Sequence, residues 1–164
     1  QVQGLRGCRN AGIPVPEETI KRAIKYIQTC TTADGGVRYS SKSGGGSRPA
    51  ITAAAIACLF NAGSYDSEFV PKLLKYCRRN SQLNNVTQGA SGHWHYAHYY
   101  YAQVQYREGG KEWESYRGKV HRKLLSEQAS DGSWSQGYVG TVYTTAINLT
   151  ILQLENAALP IYQR

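Results

Sequence analysis

The sequence has 164 residues, of which 41% are hydrophobic and 18% are charged, and this composition is typical of one globular domain. Its net charge is +8, but most of the basic residues fall in segments 21–25, 72–79 and 117–123, on the polar sides of amphipathic patterns. Because no basic run alternates with stacking aromatic residues, nucleic acid is excluded as an expected partner. No apolar run approaches the ~18 residues of a transmembrane segment.

Residues 1–12 resemble the end of a helix, and the sequence contains no methionine. We therefore expect the chain to begin within a repeat and to be part of a longer protein, whose remainder is one expected partner. The sequence leaves its localisation open. The cysteines have neither C-x-x-C nor zinc-finger spacing, so they are expected to be buried free thiols: Cys8, Cys30, Cys58 and Cys77.

Three segments have apolar residues at the i, i+3, i+4, i+7 spacing of amphipathic helices. The first follows Pro16, the second follows the candidate caps Asp66 and Ser67, and the third follows Gly110. Each is expected to be an outer helix with one packed face and one solvated face. Their apolar positions are Ile20, Ala23, Ile24 and Ile27; Val70, Leu73, Leu74 and Cys77; and Trp113, Tyr116, Val120 and Leu124.

A second kind of segment alternates with these amphipathic ones. Residues 49–60 are apolar on every side, and residues 141–154 are similarly poor in charge. A helix of this type is expected to be buried on all sides, so the sequence predicts inner helices paired with outer ones.

Self-similar glycine motifs divide the chain. Asn10-Ala11-Gly12 recurs about fifty residues later as Asn61-Ala62-Gly63, and Gly109-Gly110 closes another segment. We therefore predict one α/α repeat domain over 1–164, with repeats at 13–63, 64–110 and 111–164 and with residues 1–12 as the tail of a preceding repeat.

The stretch Gln128-Ala129-Ser130-Asp131-Gly132-Ser133-Trp134 resembles the Q-x-x-D-G-x-W repeat of the squalene cyclase and prenyltransferase superfamily. Asp34-Gly35-Gly36 and Ser91-Gly92-His93-Trp94 look like degenerate copies. The segment 142–162 also looks like the C-terminal end of bacterial repeat proteins of unknown function. The resemblance implies an all-α fold, an α/α toroid of which this chain is a partial ring of about three hairpins. It also implies that the motif braces neighbouring repeats, through Gln128, Asp131, Gly132, Trp134, Asp34, Gly35, Gly92 and Trp94.

The catalytic motifs of that superfamily are absent from this chain. Triterpene cyclases use D-x-D-D or D-C-T-A-E to protonate their substrate, but the three aspartates here, Asp34, Asp66 and Asp131, form neither motif. The D-x-C context of a zinc ligand and the G-C-G-E-Q thioester motif are also missing. We therefore assign no catalytic residue, no metal and no cofactor.

Residues 92–101 are rich in histidine and tyrosine. His93, His95 and His98 have ligand-like spacing, but His93 precedes the helix and no carboxylate is near in sequence, so a zinc site is disfavoured. Two interpretations stay open. The aromatic residues pack the hairpin, or they line a ligand cavity. The candidate cavity residues are His95, His98, Tyr99, Tyr101, Tyr106 and Tyr143.

Three functional hypotheses follow. The first is a non-catalytic repeat domain that binds a ligand, such as an isoprenoid or a sugar, or a protein partner through the concave face of its inner helices. The second is a cyclase-like or prenyltransferase-like enzyme with its catalytic residues outside this chain. The third is a polysaccharide lyase-like enzyme that uses Tyr and His. Exposed repeat ends also make a homodimer an expected assembly.

Overall fold

The computed structural model describes residues 1–42, 44–64, 68–87, 93–158 and 160–162, without the side chain of Pro160. In these ranges the regular structure is helical, which confirms the predicted all-α class. None of the described helices is long and apolar enough to cross a membrane. The helices are α1 (Val2–Asn10), α2 (Glu17–Thr29), α3 (Pro49–Asn61), α4 (Phe69–Arg78), α5 (Ser81–Asn84), α6 (Trp94–Glu108), α7 (Gly110–Ser126) and α8 (Thr141–Leu152), with short 3₁₀ helices at Leu154–Asn156 and Pro160–Tyr162.

The helices form two layers. In the first layer α1 packs against α3, α3 against α6, and α6 against α8. In the second layer α4 packs on α3 and α7 packs on α6, while the short α5 contacts both α4 and α6. We call α1, α3, α6 and α8 the inner row, and α2, α4 and α7 the outer helices. The amphipathic helices α4 and α7 and the apolar helices α3 and α8 therefore occupy different layers.

The outer helices bury the apolar stripes that their spacing predicted. Helix α4 buries Val70, Leu73, Leu74 and Cys77, and α7 buries Trp113, Tyr116, Val120 and Leu124. Helix α2 differs, because none of its residues is fully buried. The candidate caps Asp66 and Ser67 lie outside the described residues, and Glu68 occupies the N-cap position of α4.

The two apolar helices of the inner row differ in burial. Helix α3 is enclosed by its neighbours, as predicted. The prediction that residues 141–154 are buried on all sides is wrong. Only three residues of α8 are fully buried, Val142 is 86% exposed and Leu149 is 46% exposed. The physical reason is position, because no described inner helix follows α8 in the row to cover its far side.

Two turns that join an outer helix to an inner helix have the same geometry. Gly35 and Gly132 have φ angles of 83° and 84°, which a residue with a Cβ adopts only with strain. In each turn the preceding aspartate accepts a backbone N–H, from Gly36 to Asp34 at 3.0 Å and from Ser133 to Asp131 at 2.9 Å.

Each turn is also tied to the inner helix that follows it. Val37 donates its backbone N–H to Thr52 Oγ1 of α3 at 2.9 Å, and Trp134 donates its own to Thr145 Oγ1 of α8 at 3.0 Å. Equivalent bonds fix where each inner helix starts relative to its turn. Gly92, the glycine expected in the middle turn, lies outside the described residues.

The C-terminal segment returns across the inner row. Tyr162 is buried, and its hydroxyl lies 2.7 Å from that of Tyr99 on α6. The 3₁₀ helix Pro160–Tyr162 also contacts α1, where Ile161 lies beside Gly7. One side of α6 is therefore covered by the chain itself.

Candidate functional site

A cleft of about 640 Å³ lies at the N-terminal ends of α3 and α6. The two helices start side by side, because α3 and α6 are neighbours in the inner row. Most of the wall is apolar or aromatic, and none of the described lining residues carries a carboxylate. The principal lining residues are Tyr39, Arg48, Ile51, Leu83, Trp94 and Tyr96.

Arg48 provides the positive charge of the cleft. It is the N-cap residue of α3, and its guanidinium carbon lies 5.9 Å from the ring centre of Tyr39. The free backbone N–H groups at the start of α3 carry a partial positive charge, which adds to the charge of Arg48. The cleft therefore combines an apolar wall with a single electropositive side.

Tyrosine rings continue from the cleft along α6. The ring centres of Tyr96 and Tyr100 are 5.1 Å apart, and those of Tyr99 and Tyr100 are 4.8 Å apart, each pair edge to face. Tyr96 is 38% exposed, so its ring is accessible from the cleft. We call Tyr96, Tyr99, Tyr100 and Tyr143 the tyrosine cluster.

The hydroxyls of Tyr96, Tyr100 and Tyr143 are poor proton acceptors. Burial is the main cause that raises the pKa values of Tyr96, Tyr100 and Tyr143 above the ordinary value for tyrosine, and neighbouring tyrosines raise them further. A general base needs a pKa near the working pH. These three tyrosines are therefore better suited to contact a ligand than to abstract a proton from one.

Two of the predicted cavity residues lie together. His95 and Tyr143 line a small space of about 20 Å³ with Gln136 and Gly137, which is room for about one water molecule. Burial lowers the pKa of His95, so this imidazole is held in its neutral form. A space of this size excludes a sugar or a lipid.

The other predicted residues point in different directions. His98, Tyr101 and Tyr106 pack towards the outer helices, with His98 Nδ1 2.8 Å from the hydroxyl of Tyr116 and with Tyr101 donating to Asn84 Oδ1 at 3.1 Å. Tyr99 instead contacts the C-terminal segment. The structure thus does not gather the six residues around one cavity.

His98 makes the stability of the protein depend on pH. It is fully buried, and burial lowers its pKa to about 3. The unfolded chain, with an ordinary value of 6.5, binds more protons between these two pH values. The neutral, buried form of His98 therefore stabilises the fold fully above pH 6.5, and this stabilisation is lost as the pH falls towards 3.

We expect the free energy of unfolding to be about 2 kcal/mol lower at pH 5 than above pH 6.5 because of His98. Urea titrations at pH 7.5 and 5 measure it. His98→Phe should reduce the difference and leave the part that comes from His95 and His121, whose pKa values burial also lowers. An equally steep loss in that variant would contradict the assignment.

Sequence reasoning missed the residues that form the cleft. Tyr39, Ile51, Leu83 and Tyr96 come from four separate segments, and only folding brings them together. The available signal was Tyr96 and Tyr100, which lie four residues apart on the same helical face. Arg48 was visible as a charged residue directly before an apolar helix.

Among the described residues, no group of three or more His, Cys, Asp or Glu side chains is arranged to hold an ion. The four cysteines are free thiols, with Cys30 and Cys77 buried and Cys8 and Cys58 half-buried. Burial raises the pKa of Cys77 to about 12, which makes this thiol a poor ligand and a poor nucleophile.

Comparisons with known proteins found no relative. The chain matches no protein-family model, and no curated protein or solved structure is significantly similar to it. The squalene cyclase-like repeat stays a prediction from the turn residues.

Proposed function

We propose that this chain is a non-catalytic α/α repeat domain, part of a toroid like those of the terpenoid cyclases and prenyltransferases, that binds an apolar ligand in the cleft between α3 and α6. The observation that carries the proposal is the cleft of about 640 Å³ with its aromatic and aliphatic wall. This volume lies within the range of small-molecule sites. An isoprenoid chain fits such a wall, and an oxygen-bearing head group would lie near Arg48.

Matching local geometry supports the repeat architecture. The turns at Asp34 and Asp131 share their φ angles and hydrogen bonds. The helix ends at Gly12 and Gly63 also match, both with φ of 81°. Stacked helical hairpins are expected to repeat such features along the chain, here the Asp-Gly turn and the glycine at the helix end.

The site favours binding over catalysis. A lyase reaction needs a tyrosine or histidine base beside a sugar-sized space. Burial raises the pKa values of Tyr96, Tyr100 and Tyr143, and His95 adjoins a space of only about 20 Å³. The cyclase-like enzyme with an acid outside this chain remains a second candidate, because the same apolar cleft would hold its substrate.

Ligand titration tests the proposal. Farnesol in a mild detergent and cellohexaose are added separately while tryptophan fluorescence is followed, since Trp94 lines the cleft. We expect farnesol to bind and Tyr96→Ala to weaken its affinity about tenfold, equivalent to about 1.4 kcal/mol. Tyr26→Ala is the matched control, because Tyr26 is a half-exposed tyrosine on α2 outside the cleft.

Other results of this titration would change the proposed ligand or reject the proposed site. Binding of cellohexaose alone would replace the apolar ligand by a glycan stacked on Tyr39 and Tyr96. Binding of neither probe, or equal weakening by the Tyr26 control, would reject the cleft as the binding site.

A further inference from the structure

The charge around the cleft between α3 and α6 has one sign. Arg48 is the one lysine or arginine among the described residues that line the cleft, and these residues include no aspartate or glutamate. Within the part of the chain that the structure describes, no carboxylate forms an ion pair with Arg48. The chain therefore leaves this positive charge uncompensated.

A second cation near the cleft wall is already paired. Lys123 Nζ lies 5.2 Å from the ring centre of Trp94, but it forms an ion pair with Glu127. Lys123 is also not one of the residues that line the cleft. A ligand in the cleft would thus meet one uncompensated cationic side chain, that of Arg48.

Two sets of contacts hold Arg48 at the edge of the cleft. Its backbone N–H donates to the oxygen of Val37 at 3.0 Å, and its backbone oxygen accepts from Thr52 at 2.9 Å. Its guanidinium carbon lies 5.9 Å from the ring centre of Tyr39, within the range of a cation–π contact. Arg48 is exposed, so the N–H donors of its guanidinium are accessible to a ligand.

The starts of α3 and α6 add to the positive potential of the cleft. Neither helix has an acidic residue in its first turn, and neither has a side-chain cap. Helix α2, by contrast, has Glu17 and Glu18 in its first turn. Ala50 and Ile51 line the cleft, and their backbone N–H groups have no partner within α3 because they belong to its first turn. Both helix starts therefore favour an anion over a cation.

The rest of the wall presents carbon to a ligand. Ile51, Leu83 and Trp94 line it, and the last two are buried. The polar atom of Trp94 is already used, since Nε1 donates to the backbone oxygen of Val86 at 3.2 Å. A ligand with a hydrocarbon chain and an anion at one end would match both parts of the cleft.

We propose that the ligand of this cleft is an amphiphile with a single carboxylate, which pairs with Arg48 while the hydrocarbon chain lies on Ile51, Leu83 and Trp94. The proposal rests on the function proposed above and specifies the head group. The planar fork of arginine binds a carboxylate through two parallel N–H···O bonds, which are stronger than bonds to a neutral hydroxyl. A head group with two negative charges would leave one of them without a cationic partner in the described lining.

Three head groups on one hydrocarbon chain test the proposal. Farnesol, farnesoic acid and farnesyl monophosphate are titrated at pH 8 in the same non-ionic detergent, with tryptophan fluorescence as the readout. We expect farnesoic acid to bind at least about tenfold more tightly than farnesol, and at least as tightly as the monophosphate. Farnesoic acid that binds no more tightly than farnesol, or less tightly than the monophosphate, would overturn the proposal and leave the apolar site in place. Binding of none of the three would reject the proposed function as well.

Arg48→Gln tests whether one side chain causes the preference. The variant should bind farnesoic acid about tenfold more weakly and farnesol with an affinity changed by less than about twofold, because only the acid uses the guanidinium. Arg48 is exposed and its backbone bonds are kept, so circular dichroism should be unchanged. Lys42→Gln is the matched control, since it removes the same charge from an exposed residue of the same loop outside the lining.

The control should bind both ligands as the unchanged protein does. Equal weakening of farnesoic acid binding in the two variants would indicate general attraction to a chain of net charge +8, and would overturn the proposal. A preference for the acid that persists in Arg48→Gln would overturn it too.

Discussion

Replacing Trp134 with alanine is expected to lower the melting temperature of the protein by roughly 10 °C. The indole is only 1% exposed, and its Nε1 donates to the backbone oxygen of Leu124 in α7 at 2.7 Å. Truncation leaves a cavity and removes this hydrogen bond, and the loss of a buried Trp side chain costs about 3–5 kcal/mol. For a chain of this size each kcal/mol corresponds to about 2–4 °C. Differential scanning calorimetry measures the shift.

The control is Tyr138→Ala, because Tyr138 is a nearby aromatic residue that is 71% exposed. Its melting temperature should stay close to that of the unchanged protein. A Trp134→Ala protein that melts like the control would show that the indole does not connect α7 to its turn.

The turn of Trp134 illustrates how far sequence reasoning reached. Its residues predicted a tight reversal stabilised by aspartate and glycine, and both roles are observed. The side-chain amide of Gln128 was expected to contact a neighbouring hairpin. It donates instead to the backbone oxygen of Gly132, within the same turn, at 2.9 Å. The described chain offers no later hairpin for it to meet. Contact between hairpins is seen at the first turn, through Asp34 and Arg79.

The hydrophobic patterns predicted the helices better than they predicted which neighbours would cover those helices. The spacing of Val70, Leu73, Leu74 and Cys77 depends on one helix, so it specified the buried face of α4. The burial of residues 141–154 depends on what lies beside them, and an apolar pattern alone does not supply a neighbour. The short α5 was not predicted, since four residues carry too little periodicity to be recognised.

The aromatic segment 92–101 shows the same difference between a helix that the sequence predicts and contacts that it does not predict. Its sequence predicted a helix rich in potential contacts, and α6 covers Trp94–Glu108. It did not predict that His98 would face Tyr116 on one side while Tyr99 faces Tyr162 on the other. These partners lie far apart in sequence, so the division of α6 between a packed face and a cleft face is set by the layers around it.

Gly36→Ala is expected to destabilise the protein by about 1–3 kcal/mol, the usual cost of overpacking. A Cβ at this position would lie 2.4 Å from that of Ser47 and 2.6 Å from the ring of Tyr76, so the turn would have to move away from α4. Urea unfolding measures the change. Gly44→Ala is the matched control, since a Cβ there meets nothing within 4 Å and reduces the freedom of the unfolded chain.

A double variant separates crowding from a general effect of alanine. Ser47→Gly removes the nearer clashing atom but also the hydrogen bond from Ser47 Oγ to Asp34 Oδ2 at 2.6 Å. If crowding is the cause, Gly36→Ala with Ser47→Gly should lose less unfolding free energy than the sum of the two single losses. Additive losses would mean that Gly36 is needed for its backbone and not for the space it leaves. Losses smaller than the sum would instead identify the close approach of Gly36 to Ser47 as a cause of the destabilisation.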